Sequence, residues 1–195
     1  MSSVATPMGA EPVGTLSASG SFSGKLRHIP IAAAYDTDIF TGDFVKFVSG
    51  GTVERSAITT TVPAGTCGIF MGCAYTDPTT KQMTFSQIWP ADNAATDAVA
   101  YVADDPYLTF RMQGNGAMTA IDIGLNASGV NTVGSTDIGR SKNALIAASA
   151  AVTATLPFRI LEFVDGPDSA VGDAFTDVIV TWLPLKHAYV TALGV

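Results

Sequence analysis

The sequence predicts an all-β protein: an antiparallel β-sandwich or partly closed barrel, jelly-roll-like, of about eight strands behind an extended N-terminal arm. Three observations carry that expectation. Charged residues are only 14% of the chain, so the Glu- and Lys-rich surfaces of amphipathic helices are scarce. Nineteen glycines and ten prolines cut the chain into short runs. Those runs are β-branched or alternate with a period of two, most clearly in Leu108 to Gln113.

A chain of 195 residues fits a single domain with a tail, and the composition breaks near Ile29. Residues 1–28 are Ser, Gly, Ala and Pro with one acidic residue, and Val4, Met8, Val13, Leu16, Phe22 and Leu26 follow no steady period. Ordering a backbone costs about 1 kcal/mol per residue. Six isolated apolar side chains at about 1.5–3 kcal/mol each offset roughly half of that. The arm is therefore expected to be mobile alone, either as a plain tail or as a segment that orders against a partner or a neighbouring copy. Residues 29–195 are expected to form one β-rich domain.

Phe44 to Val48 is a nearly continuous apolar run suited to a strand covered on both faces, and Ser49 to Thr52 is a turn. Thr59 to Val62 is β-branched and ends at Pro63. Cys67 to Thr76 is a strand, Asp77-Pro78-Thr79-Thr80 a turn, and Lys81 to Trp89 the returning arm of a hairpin, with Met83 and Phe85 on one face. Leu108 to Gln113 points its apolar residues inward. Gly114-Asn115-Gly116 then predicts a hairpin into a strand over 117–123. The stretch 124–140 is too polar and glycine-rich for core. Ser141 to Thr155 mixes helix and strand formers and is assigned to loop and strand. Phe158 to Val164 and Phe175 to Leu183 are strands around an acidic loop, with Trp182 on the face of Val178 and Val180.

The composition excludes several function classes. A net charge of −7 with ten scattered Lys and Arg argues against a nucleic-acid surface. No segment reaches the roughly 20 apolar residues of a membrane span, and no secretory leader is visible, so a cytoplasmically folded product is expected. Asn126-Ala127-Ser128 is accordingly not read as a glycan site. Cys67 and Cys73 on one strand lie too far apart for a disulfide and have the wrong spacing for zinc, which leaves two buried free thiols. His28 and His187 sit in no nucleophile motif and are read as surface residues, so no catalytic residue is assigned and no enzyme is expected. The acidic groups Asp36/Asp38/Asp43, Asp104/Asp105 and Asp165/Asp168/Asp173/Asp177 match no calcium-loop spacing and read as turn residues. No metal or cofactor is expected. Exposed aromatics for a carbohydrate platform would have to come from Trp89, Tyr101, Tyr107 and Tyr189.

Through GDFVKF at Gly42 to Phe47, GIFMGCAYTDPTTKQMTFSQIWPA, AYVADDPYLTFRMQGNG, DIGLNA and GRSKNALI, the chain resembles the head decoration, or cement, proteins of tailed bacteriophages. The likeness is to those of marine and cyanobacterial podoviruses and covers roughly Ile29 to Val190. It implies a non-enzymatic virion protein on the capsid exterior, assembled in the host cytoplasm and tying neighbouring capsomers together. The implied partners are the major capsid protein and other copies of the chain, a homotrimer first and a dimer as the alternative. Leu16, Phe22, Leu26 and Arg27 of the arm are the expected partner interface. The alternative expectation is a carbohydrate-binding β-sandwich of a virion surface or tail fibre.

Overall fold

A computed structural model describes residues 4–16, 20–164, 166, 169–183 and 186–191. The strands, in chain order, are β1 (Glu11–Thr15), β2 (Arg27–Pro30), β3 (Ile39–Phe40), β4 (Phe44–Phe47), β5 (Val53–Arg55) and β6 (Thr66–Thr76). They continue with β7 (Met83–Ser86), β8 (Ile88–Trp89), β9 (Val99–Ala103), β10 (Leu108–Gln113), β11 (Asn126–Ala127) and β12 (Gly129–Val130). The last three are β13 (Ala144–Leu145), β14 (Phe158–Phe163) and β15 (Asp177–Trp182). Three single 3₁₀ turns are the described helical segments, and no described helix is long and apolar enough to cross a membrane.

The fold is an antiparallel β-sandwich and not a closed barrel. One sheet runs β1-β10-β15-β14-β11; the other runs β2-β9-β6-β4-β5, with β7 also paired to β6. Between them lies a core in which Phe44 of β4 meets the rings of Phe110, Phe158 and Trp182 from the opposite sheet, at centroid distances of 5.8, 5.3 and 5.2 Å. Ile69 and Ala103 join Phe44 on that face. The reverse face of the β2-β9-β6-β4-β5 sheet is buried as well: Val45, Phe70, Cys73, Ala100 and Val102 pack with Ile31, Ile39 and Trp89 from the connections that cross it. Burial on both faces explains the continuous apolar runs over 44–48 and 67–75.

The register places further rows on the face that carries Ile69 and Ala103. A bulge between Phe70 and Gly72 preserves the alternation, so His28, Tyr101 and Gly72 form one row and Pro30, Val99, Ala74 and Phe85 the next. These rows run beyond the aromatic core, and Met83 and Phe85 are 61% and 73% exposed. The shared face of Met83 and Phe85 is thus present, and it is turned to solvent.

The segment from Thr6 to Thr15 is built into the sandwich. Glu11 to Thr15 pairs with β10, and the segment before it threads between two loops. The Thr6 N–H donates to Gln113 Oε1 at 2.8 Å, and the Ala10 N–H donates to the Gly42 carbonyl at 2.9 Å. Glycine is required at the crossing: Gly42 has φ +93°, and a Cβ there would stand 2.6 Å from the Met8 carbonyl oxygen. Backbone hydrogen bonds hold this segment where apolar periodicity is lacking. The composition break at Ile29 falls inside β2, whose Arg27 to Pro30 pair with β9.

Two expectations are corrected. No strand follows Gly114-Asn115-Gly116: neither glycine has positive φ, so no primed hairpin turn forms. Instead Thr119 and Asp122 cap a 3₁₀ turn over Ala120–Asp122, and Met118 is buried in the core. The polar stretch after Gly124 is not peripheral, since Asn126 to Gly129 is buried. Asn126 donates to the Thr153 carbonyl at 2.9 Å and accepts from Arg159 Nε at 3.0 Å, which makes its burial tolerable. Ser141 to Thr155 contains β13 and a 3₁₀ turn over Ala147–Ser149.

Candidate functional site: an exposed apolar margin and the clefts beside Pro106

The turn from β9 to β10 carries the chain from one sheet to the other, and a cleft lies on either side of it. Asp105 Oδ1 accepts from the Tyr107 N–H at 2.8 Å, and the Asp105 carbonyl accepts from Leu108 N–H at 3.1 Å. This local closure pushes Pro106 and Tyr107 outward. On one side of Pro106 lies a cleft of about 270 Å³ bounded by Phe22, Lys25, Arg27, Asp104 and Tyr189. On the other lies a more apolar cleft of about 330 Å³, bounded by Leu16, Tyr107, Arg159, Leu161, Leu183 and Val190. The Leu16 N–H donates to the Tyr107 carbonyl at 2.9 Å, which fixes the lip of this second cleft. A shallower depression continues across the outer face of the sheet, where Val13 and Leu16 meet Leu161 and Ile179.

The first cleft has a defined charge arrangement. The Arg27 guanidinium is ion-paired with Asp104 and sits 5.4 Å from the centroid of the Tyr189 ring. The Tyr189 hydroxyl donates to Asp104 Oδ2 at 2.6 Å. Asp104 raises the pKa of Arg27 by hydrogen bonding and charge, while burial and Asp104 raise that of Tyr189. Arg27 therefore remains a cation and Tyr189 a neutral phenol, and together they tie β2, the β9–β10 turn and the C-terminal segment to one carboxylate.

Behind Tyr189 stands His187, whose expected surface position is corrected: it is fully buried, 5.0 Å from the Tyr189 ring and 5.8 Å from that of Trp182. Its Nδ1 accepts from the Tyr189 N–H at 3.3 Å, so the neutral tautomer carries its proton on Nε2. Burial lowers the pKa of His187. The folded state thus holds it neutral, whereas the unfolded chain binds a proton as pH falls through about 6.5. Its contribution to stability is present above that pH and lost below it. The melting temperature is expected to drop more steeply between pH 7 and 5 in the native protein than in His187→Gln; parallel slopes would remove this role.

A second polar centre is built around the fully buried Asp43. Asp43 Oδ1 accepts from Ser141 Oγ at 2.6 Å and Asn143 Nδ2 at 3.0 Å. Its Oδ2 accepts from the Phe40 N–H and lies 3.0 Å from Arg55 Nε. Arg55 also donates through Nη2 to the Thr132 carbonyl at 2.7 Å. Burial pulls the Asp43 pKa upward, against Arg55 and the hydrogen bonds from Ser141 and Phe40. With its carboxylate wholly buried and its far end at the exposed Thr132, this network joins loops.

The four arm residues expected at a partner interface divide into two pairs. Leu16 and Arg27 are exposed and border the clefts. Phe22 and Leu26 are half-buried against the protein's own core, although Phe22 also lines the first cleft. Tyr107, expected from the sequence only as a candidate aromatic for a carbohydrate platform, completes the surface with Leu161 and Ile179, which were not singled out because only the pairing of β1, β10, β15 and β14 brings them beside Leu16. Cys67 and Cys73 are buried free thiols pushed up to about 12, which leaves negligible thiolate for nucleophilic chemistry. His28 is exposed. No group of three potential metal ligands occurs among the described residues; Asp165 and Asp168 lie outside them. Trp89 and Trp182 are buried, which leaves Tyr107 and Tyr189 as exposed aromatics near the clefts.

Fold and surface together define a β-sandwich whose outer sheet face sets Ile179 among Arg111, Glu162, Thr109 and Thr181, with exposed Val13, Leu16 and Tyr107 along one margin and two clefts beside them. No protein-family model matches the chain, and no curated protein or solved structure is significantly similar to it.

Proposed function

We propose that the chain is a decoration protein of a tailed-bacteriophage head, a non-enzymatic part that binds the outer surface of the icosahedral shell and holds neighbouring capsomers together. The observation that carries this reading is the margin of the β1-β10-β15-β14-β11 sheet, where Val13 and Leu16 at its edge strand and Tyr107 in the β9–β10 turn are 47%, 55% and 58% exposed. Exposed apolar groups of this kind, bordered by Arg27 and Arg159, suit adhesion to another protein better than turnover of a substrate. The sequence blocks that resemble phage cement proteins supply the identity of that protein, the major capsid protein, and the virion exterior as the location.

Co-sedimentation with purified shells tests the reading. The native protein is expected to saturate a fixed number of sites, and Leu16→Asp with Tyr107→Ser is expected to lower occupancy by roughly tenfold or more. Failure of the native protein to bind shells, or equal occupancy by the double variant, overturns it.

A carbohydrate-binding reading has one observation in its favour: Tyr107 is exposed beside Asp105 at the cleft lip. Against it, Arg27 stands over the Tyr189 ring, the other exposed aromatic there, so the two rings do not form an open stacking platform. Binding on a glycan array that Tyr107→Ser abolishes would favour this second reading.

A further inference from the structure

We infer that β7 is a self-association edge, through which two copies of this chain join their β2-β9-β6-β4-β5 sheets about a two-fold axis. The inference does not rest on the capsid reading. It starts from the hairpin that forms β7. The Asp77 N–H donates to the Gln82 carbonyl at 2.9 Å, and the register continues as Thr76 with Met83, Tyr75 with Thr84, Ala74 with Phe85 and Cys73 with Ser86. Hydrogen-bonded and non-hydrogen-bonded pairs alternate along an antiparallel ladder. Because Asp77 and Gln82 are a bonded pair, Thr84 and Ser86 turn their backbone groups toward β6. Met83 and Phe85 turn theirs away.

Among the named strands β6 is the one that pairs with β7, so this outward edge presents two N–H and two carbonyl groups without a strand partner. The side chains of the same two residues are 61% and 73% exposed. Soluble proteins ordinarily guard such an edge with charge, proline or a bulge. Here Gln82 to Pro90 carries no charged residue and no proline before Pro90. β7 itself pairs without a register shift.

The occupant that fits is a second β7. Antiparallel pairing centred on Thr84 sets Met83 of each copy opposite Phe85 of the other, and both are the outward-bonding residues, so all four groups on each edge find partners. Thr84 meets its own copy at the central non-hydrogen-bonded position, a favourable cross-strand pair. Lys81 falls opposite Gln87. In a chain of net charge −7, this register brings no like charges face to face. The Met83 and Phe85 side chains of the two copies then cover one another on the face that also carries Val99, Ala74 and Tyr101. A two-fold contact of this kind is closed and stops at two copies.

Sedimentation equilibrium of the full chain over a range of concentrations tests the inference, with circular dichroism to show that each variant is folded. The native protein is expected to be dimeric, and Phe85→Lys to dissociate roughly tenfold or more readily. Phe85→Pro removes an outward N–H and leaves the bonds to β6 in place, so it is expected to be a folded monomer. Thr84→Cys is expected to yield a disulfide-linked dimer on mild oxidation, since opposed residues at a non-hydrogen-bonded pair lie about 4.5 Å apart at Cα. A native monomer at high concentration overturns the inference. So does an oligomer of any size that Phe85→Lys leaves intact and Thr84→Cys fails to cross-link. Neither outcome bears on shell binding through the opposite sheet, whose test uses Leu16 and Tyr107.

Discussion

Asp43→Ala is expected to lower the stability of the fold by about 3–5 kcal/mol, the range found when one partner of a buried ion pair is removed. The loss has identifiable parts. Arg55 is left with its guanidinium largely enclosed and only the Thr132 carbonyl as acceptor. The Phe40 N–H, Ser141 Oγ and Asn143 Nδ2 lose their common acceptor at the same time. For a chain of this size the change corresponds to a fall in melting temperature of roughly 10 °C. Thermal and urea unfolding followed by circular dichroism measure it. A loss below about 1 kcal/mol would mean that the carboxylate is not the hub of these loops.

Phe44→Ala is expected to cost a similar amount, about 3–5 kcal/mol, for a different reason. Phe44 is the aromatic residue that the β2-β9-β6-β4-β5 sheet inserts among Phe110, Phe158 and Trp182 of the other sheet. Truncation opens a void at the seam, and three rings in contact with one another cannot collapse freely to fill it. Phe44→Leu retains much of the volume and is expected to lie well short of the alanine variant. Tryptophan fluorescence reports the event directly, because Trp182 faces the void. Equal stabilities for the leucine and alanine variants would show that the site relaxes.

Most of the sandwich was legible in the sequence where a strand buries one face or both. Leu108 to Gln113 alternates because only Leu108, Phe110 and Met112 enter the apolar core, and Phe44 to Val48 is continuous because its sheet has an apolar cluster on each face. Buried segments of polar composition were not legible. Asn126 and Ser128 belong inside only because Thr153, Arg159 and Ser149 arrive from later in the chain to bond that segment, and a local window contains none of them. His187 was misplaced for the same reason, its surroundings being Trp182, Tyr189 and the distant strand that carries Cys67. Of the candidate surface, Leu16 and Arg27 could be singled out early because they interrupt a polar arm. Tyr107 stood out only as an aromatic, and Leu161 and Ile179 could not be singled out, since strand order is what makes them neighbours.

The pairing of β1 also bears on how the molecule comes together during synthesis. Residues 27–103 supply every strand of the β2-β9-β6-β4-β5 sheet, and residues 108–182 supply all of the other sheet except β1. The chain thus completes one sheet before beginning the second, an order that keeps most contacts within each half. β1 is the exception: Glu11 pairs with Arg111, so β1 lacks its partner strand until β10 has followed it from the ribosome. Its ordering must close a loop of nearly the whole first half of the protein, an entropic cost that falls late and slows the step. In assembly Glu11 to Thr15 therefore act as a closing clasp.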